Sequence, residues 1–407
     1  MSLPKIQVSK HLDGVRYEIR GELARKAEEL ERAGFEIIKL NIGNPGAFGF
    51  RMPETMRRAI VENLASAEPY CHQKGIFPAR EAVVMQQQDR GVLDVTADDV
   101  FIGNGVSELI LMCTRALLNP GDEILIPSPD YPLWTAAVKL YGGTAVHYTC
   151  RPENRFHPDP DEIGKLITER TRAIVVINPN NPTGAVYDAE ELKRVVDLAE
   201  QHHLVLFADE VYDQVLYDGA RYVPMATLVK HTLCGTFSGL SKVYRACGLR
   251  VGWVSFSGEK AQAGEYLEAI ELLAALRLCP TVPGQWAVQT ALGGYQSIFD
   301  LTAPGGRLHE TRKALIEAVA ASKYLKLVPP AGAIYAFVQV DTGQTGSFDD
   351  DQFAWDLLER KHVLVAPGSS FNVAYRDHFR TTLLPDDRLM RHVIGRIEEL
   401  LDEYSGR

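Results

Sequence analysis

Six short runs in the middle of the chain are apolar almost throughout, and helical stretches stand between them: Val100–Gly103, Glu123–Ile126, Ala173–Ile177, Val205–Ala208, Leu233–Phe237 and Val251–Phe256. A strand with one wet face alternates apolar and polar side chains. A run that is apolar throughout suits a strand covered on both faces. Ser107–Leu118 and Asp188–His202 carry helical patterns between such runs. This alternation predicts an α/β fold around a mostly parallel sheet, with right-handed crossovers.

Toward the C-terminus the pattern changes. Helical stretches at Gly306–Ser322, Phe353–Arg360 and Asp387–Tyr404 flank strands near Tyr335–Val340, Val363–Val365 and Phe379–Leu383. A smaller α+β domain is expected there. Two earlier helices are expected at Glu22–Ala33, stopped by Gly34, and at Pro53–Leu64, where Pro suits a first turn. With 407 residues there is room for two to three units. The expected division is an N-terminal arm over 1–50 that joins the small domain in part, a large domain over 51–300, and a C-terminal small domain over 301–407.

A net charge of −10 speaks against nucleic-acid and anionic-membrane partners, which reward basic surfaces. It leaves room for an anionic small molecule, since a few arginines outweigh a distant average. The opening segment has no signal-peptide core, and no later run reaches membrane-spanning length. Six scattered cysteines without a C-x-x-C pair indicate neither a disulfide framework nor a zinc site. The expected location is the cytoplasm, and no metal is expected.

Three blocks carry chemistry. Asn178-Pro-Asn-Asn-Pro-Thr-Gly184 follows an apolar run, at the strand end where α/β sheets gather ligands. By itself it is a rigid turn. Asp209-Glu210-Val-Tyr212 follows the next run, and Asp209 alone reads as a helix cap or as a partner for a protonated pyridine nitrogen. Ser238-Gly-Leu-Ser-Lys242 comes third, with Arg250 eight residues after the lysine. A lysine in a partly dry pocket is a usable amine nucleophile, and an arginine offers a planar fork to phosphate. Gly103-Asn-Gly-Val-Ser107 adds a helix N-terminus, whose free N–H groups suit an anion.

In this order and spacing the blocks resemble the fold-type I, class I aminotransferases dependent on pyridoxal 5'-phosphate (PLP), over nearly the whole chain. The resemblance implies that Lys242 binds PLP as a Schiff base and shuttles the substrate's α-proton. It implies that Asp209 keeps the pyridine nitrogen protonated, and that Tyr212 and Asn181 bond the ring's phenolic oxygen. Tyr131 matches the aromatic that stacks on the ring. Gly105, Val106 and Ser107 match the phosphate loop, with Arg250 and Ser241 opposite. Tyr70 matches a residue that reaches the phosphate across a homodimer interface, and Arg380 matches the arginine that grips the α-carboxylate. Two positions depart from the pattern. Gly239 stands where many members carry a phosphate-touching Ser, and Arg245 stands where a small residue is usual, so that it either adds charge near the pocket or faces solvent.

A finer resemblance is to the bacterial alanine (glutamate–pyruvate) transaminases, carried by Tyr17-Glu-Ile-Arg20-Gly, Leu40-Asn-Ile-Gly43-Asn-Pro, Asp130-Tyr-Pro-Leu-Trp134, Gly239-Leu-Ser-Lys-Val-Tyr-Arg245 and Ala291-Leu-Gly-Gly-Tyr-Gln296. It implies L-alanine + 2-oxoglutarate ⇌ pyruvate + L-glutamate, with Gly43 beside the substrate and the arm carrying Tyr17 and Arg20 over the pocket mouth. Arg20 is either a switchable partner for a second carboxylate or a structural ion pair. An aminotransferase of aspartate or aromatic specificity would keep the same cofactor residues. A PLP-dependent C–S lyase shares the fold, and a non-catalytic regulator would want a DNA-binding extension. His202-His203 reads as a helix end, and Asp349-Asp-Asp351 as a solvated helix N-terminus.

Overall fold

A computed structural model describes residues 6–13, 15, 21–346 and 348–406. Its strands are β1 (Ile38–Lys39), β2 (Val100–Asn104), β3 (Glu123–Ser128), β4 (Thr144–Thr149), β5 (Thr171–Ile177), β6 (Val205–Asp209), β7 (Leu233–Gly239), β8 (Val251–Gly258), β9 (Leu325–Leu327), β10 (Tyr335–Val340), β11 (Val363–Leu364), β12 (Ala366–Pro367) and β13 (His378–Thr382). The central sheet has seven strands in the order β2-β8-β7-β6-β5-β3-β4. β8 runs antiparallel to both its neighbours, and the other pairings are parallel. The α/β expectation holds.

The apolar runs behave as two-faced strands should. Along β5, Ile174 and Val176 enter one core while Ala173, Val175 and Ile177 enter another. β6 does the same, with Leu206 and Ala208 on one side and Phe207 on the other. Each such large side chain contributes about 1.5–3 kcal/mol by leaving water, so both faces hold the sheet between helical layers. Helices Val106–Leu117, Ala189–Gln201 and Gly264–Leu276 supply part of that cover.

A second, antiparallel sheet of four strands, β12-β13-β10-β9, lies in the C-terminal part, so the smaller α+β unit is present. β1 pairs in parallel with β11, Ile38 opposite Val363, which fastens the N-terminal segment to the C-terminal one. The single strand expected at Val363–Val365 is two pieces. β11 pairs with β1, and after Val365 the chain turns into β12, which pairs with β13.

The acidic triplet also differs from expectation. Asp349 caps its helix by accepting from Gln352 N at 2.9 Å. Asp350, however, is fully buried, accepts from Ser369 N at 2.5 Å and pairs with Arg376 Nε at 2.9 Å. A distant cation and a backbone donor take the place of water. Among the described residues, no helix is long and apolar enough to cross a membrane.

Candidate active site

A cavity of about 910 Å³ opens where β5, β6 and β7 end, between the central sheet and the start of β10. The loop after β5 is locked by its own asparagines. Asn178 Oδ1 accepts from Tyr187 N at 3.0 Å, and Asn180 Oδ1 accepts from Thr183 Oγ1 at 2.8 Å. Gly184 has φ of +72°, and a Cβ there would fall 2.4 Å from Pro330, so only glycine closes this turn. With its neighbours fixed, Asn181 faces the cavity and accepts from Arg380 Nη1 at 2.9 Å.

Asp209 is the last residue of β6, and its carboxylate is buried. Burial pushes its pKa up to about 6, held back by the Trp134 indole N–H at 3.0 Å and by the Val211 backbone. A cation brought to the open side would lower it again. Trp134 is wedged between Phe207 and Phe237, with ring centroids 5.6 and 5.3 Å away, which fixes the direction of that donor.

Lys242 follows β7 and donates to the Gly43 carbonyl at 2.7 Å. The residues expected to form a phosphate loop lie nearby, Val106 and Ser107 in the same cavity lining. Gly105, at φ +82°, precedes the helix that starts at Val106, and a Cβ on it would strike Arg250 Nη2 at 2.1 Å. Gly252 would likewise drive a Cβ to 2.5 Å from Val106 N, so β8 packs directly under the helix N-terminus. Arg250, itself left-handed at φ +53°, is steadied by Cys247 O at 2.9 Å and Asn104 O at 3.3 Å. Gly239 has no room for the serine of other sequences, since a Cβ would lie 2.8 Å from Val251 O.

Arg380 on β13 is 1% exposed, and its guanidinium lies between the rings of Tyr335 and Phe371, at 4.2 and 4.6 Å. Its second terminal nitrogen donates to Asn41 O. The loop holding Phe371 is tied to the loop of Tyr131, because Asn372 Nδ2 donates to the buried Asp130 at 2.8 Å. Burial raises the Asp130 pKa to about 7.

The cavity therefore gathers Gly43, Val106, Ser107, Tyr131, Asn181, Asp209, Tyr212, Ser241, Lys242, Arg250 and Arg380 in its lining, with Gly105 against Arg250. Tyr70 is not among them; it is 78% exposed on the outside of the chain. Tyr17 and Arg20 lie outside the described residues. Arg245 does line the cavity, with hydrogen bonds to Arg51 O at 3.3 Å, Val243 O at 2.6 Å and Ser297 Oγ at 2.7 Å. Sequence reasoning missed Tyr335 as a site residue, and it quoted Trp134 without assigning it a contact. Only its place one helical turn after Tyr131 hinted that Trp134 would point inward.

Among the described lining residues, Asp209 is the one carboxylate against five cations: Lys39, Lys242, Arg245, Arg250 and Arg380. Such a donor set fits a ligand with a phosphate at one end and a carboxylate at the other, with one position that prefers a cation. The sequence profile of the aminotransferase class I and II family matches residues 36–397. The chain belongs to that family.

Its relatives include the glutamate-pyruvate aminotransferase AlaA of Escherichia coli K12, 48% identical over 380 residues, covering 93% of this chain and 94% of that protein. The alanine aminotransferase of Mycobacterium tuberculosis H37Rv is 48% identical over 397 residues, covering 97% of this chain and 92% of its own. A solved aminotransferase from Escherichia coli superposes with a TM-score of 0.97 at 46% identity, over 99% of this chain and 100% of that one. As in the family, the cofactor is PLP, and the cavity's charges fit it: cationic and backbone donors for the phosphate, Asp209 for the ring nitrogen, Lys242 for the carbonyl carbon.

The Trp134–Asp209 bond yields a first prediction. Trp134→Phe keeps an aromatic in the wedge but removes a donor to a buried carboxylate. A hydrogen bond to a charged group is worth about 1.5–3 kcal/mol, so PLP affinity should fall roughly ten-fold or more. Equilibrium dialysis checks it; wild-type affinity would mean that the indole does not hold Asp209 for the cofactor.

Proposed function

We propose that the protein catalyses L-alanine + 2-oxoglutarate ⇌ pyruvate + L-glutamate in two successive half-reactions. The amino transfer is supported by one observation above all: a lysine, a buried carboxylate and a buried arginine face one cavity. The alanine preference is supported by the near-full-length identity to proteins named for that reaction.

PLP supplies a carbonyl carbon that takes up the amino group and a protonated ring that draws electrons from the substrate's α-carbon. The protein's residues do the rest. Lys242 attaches the cofactor and, once released from it, moves the α-proton. Asp209 holds the ring nitrogen in its protonated form. Tyr212 and Asn181 bond the ring's phenolic oxygen, and Tyr131 covers the ring face. The amides at Gly105, Val106 and Ser107 hold the phosphate, with Ser241 and Arg250 opposite. Arg380 takes the substrate α-carboxylate in its fork, with Gly43 alongside.

The same proposal includes a homodimer in which Tyr70 reaches the partner's phosphate. In its favour, Tyr70 is exposed, and Gln73 bonds Glu271 at 2.8 Å, which sets this segment beside a helix with exposed Leu272 and Leu276. Tyr70, Leu272 and Leu276 thus leave exposed apolar side chains for a second copy of the chain to cover. The cytoplasmic location and the division at residues 50 and 300 belong to this reading too. The division is supported by the confinement of the central sheet to β2–β8 and of the antiparallel sheet to β9, β10, β12 and β13.

Product analysis tests the reaction. Alanine with 2-oxoglutarate should yield pyruvate and glutamate in equal amounts, with no ammonia. Faster turnover of aspartate or phenylalanine would contradict the alanine preference, and release of pyruvate, ammonia and a thiol from a cysteine thioether with no 2-oxo acid added would point to a lyase.

A further inference from the structure

Tyr335 begins β10, is 3% exposed and lines the cavity, and it meets three proposed site residues at once. Its hydroxyl oxygen accepts from Tyr212 Oη at 3.2 Å. The Arg380 guanidinium lies 4.2 Å from its ring centroid. At Gly43 a Cβ would fall 2.2 Å from the Tyr335 hydroxyl, so glycine is what lets this phenol in. Burial opposes its ionisation, but the charges of Lys242 and Arg380 prevail and lower its pKa.

The ring and the hydroxyl therefore act on different ends of the site. An aromatic face under a guanidinium attracts the cation and restricts its tilt, which sets the plane in which its N–H groups point. The hydroxyl faces a different constraint. Tyr212 has one proton and cannot donate both to Tyr335 and to the phenolic oxygen of PLP. When its proton goes to the cofactor, Tyr335 becomes the donor and holds the Tyr212 oxygen in place.

We propose that Tyr335 is a positioning residue with two separable actions: its ring sets the plane of Arg380 for the substrate carboxylate, and its hydroxyl orients Tyr212 toward the cofactor. The proposal rests on the roles given above to Arg380 and Tyr212. A purely structural core residue would instead lose everything together when altered.

Holoenzyme carrying Tyr335→Phe or Tyr335→Leu tests it by two readouts besides turnover: binding of propionate, a non-reacting monocarboxylate, by calorimetry, and the pH midpoint of the cofactor's visible absorption. Tyr335→Phe keeps the ring. Its midpoint should move by roughly half a unit to one unit and kcat should fall about three- to ten-fold, while propionate binding stays within about two-fold of wild type. Tyr335→Leu should in addition weaken propionate about ten-fold. A Phe variant with wild-type midpoint and kcat overturns the hydroxyl's action. A Phe variant that weakens propionate about ten-fold overturns the ring's action, and stands even if the Leu variant does not fold. Propionate binding untouched by Arg380→Ala would overturn the underlying site reading instead, so the two failures are distinguishable.

Discussion

Lys242→Ala will abolish transamination, with kcat falling at least about 10⁴-fold, and will remove the visible band that a lysine-bound cofactor gives. Both losses have one cause. On the proposed assignment the amine that attaches the cofactor is also the base that moves the α-proton, so one substitution removes both functions. Among the described lining residues the other lysine is Lys39, whose side chain is 44% exposed and paired with Glu31 at 2.7 Å. The fold should persist, because the side chain of Lys242 is directed at the cavity and donates to a single carbonyl, that of Gly43. Absorbance spectroscopy and thermal unfolding measure the two halves of this expectation. A retained band, reducible by borohydride onto a different lysine in peptide mapping, would show that Lys242 is not the attachment point.

Arg380→Ala has the next largest effect. On the proposed assignment it removes a buried guanidinium and leaves the substrate carboxylate without its partner, at a cost of about 2–5 kcal/mol. That corresponds to KM rising by roughly 30-fold to several thousand-fold. Alanine and 2-oxoglutarate should suffer alike, since each presents an α-carboxylate. Arg380→Lys separates charge from geometry: it keeps the cation but loses the planar fork that Tyr335 and Phe371 enclose, and should recover only part of the affinity. Unchanged KM for both substrates in the Ala variant would remove Arg380 from the site.

The fold was legible where burial leaves a strong pattern. β5 and β6 are covered on both faces, so their sequences are apolar throughout, and their cores were expected where they are found. Their ends were not. β2, β3 and β6 run on into Asn104, Ser128 and Asp209, polar residues that face the ligand end of the sheet and so lack the apolar signal. β4 escaped notice because it is an edge strand with several partly exposed side chains, His147 among them. Helix Gly264–Leu276 mixes leucines with glutamates on a half-exposed surface, which blurs its periodicity.

The site divides the same way. Asn181, Asp209 and Lys242 sit in compact blocks at strand ends, where a few neighbouring residues declare the chemistry. Tyr335 is 123 residues from the Tyr212 it bonds, and Trp134 is 75 from Asp209, so neither contact leaves a local signature. Asp350 illustrates the converse: three consecutive acids suggested solvent, but Arg376 folds back to pair with all of them.

The central claim is best tested by single-turnover mixing of the PLP enzyme with alanine, glutamate, aspartate and phenylalanine, each alone, while the cofactor's visible absorption is followed. Rapid loss of the lysine-bound band with alanine and with glutamate, and slow loss with the other two, is the expected result. Faster reaction with aspartate or phenylalanine would contradict the alanine–glutamate assignment, and no reaction with any of them would contradict amino transfer itself.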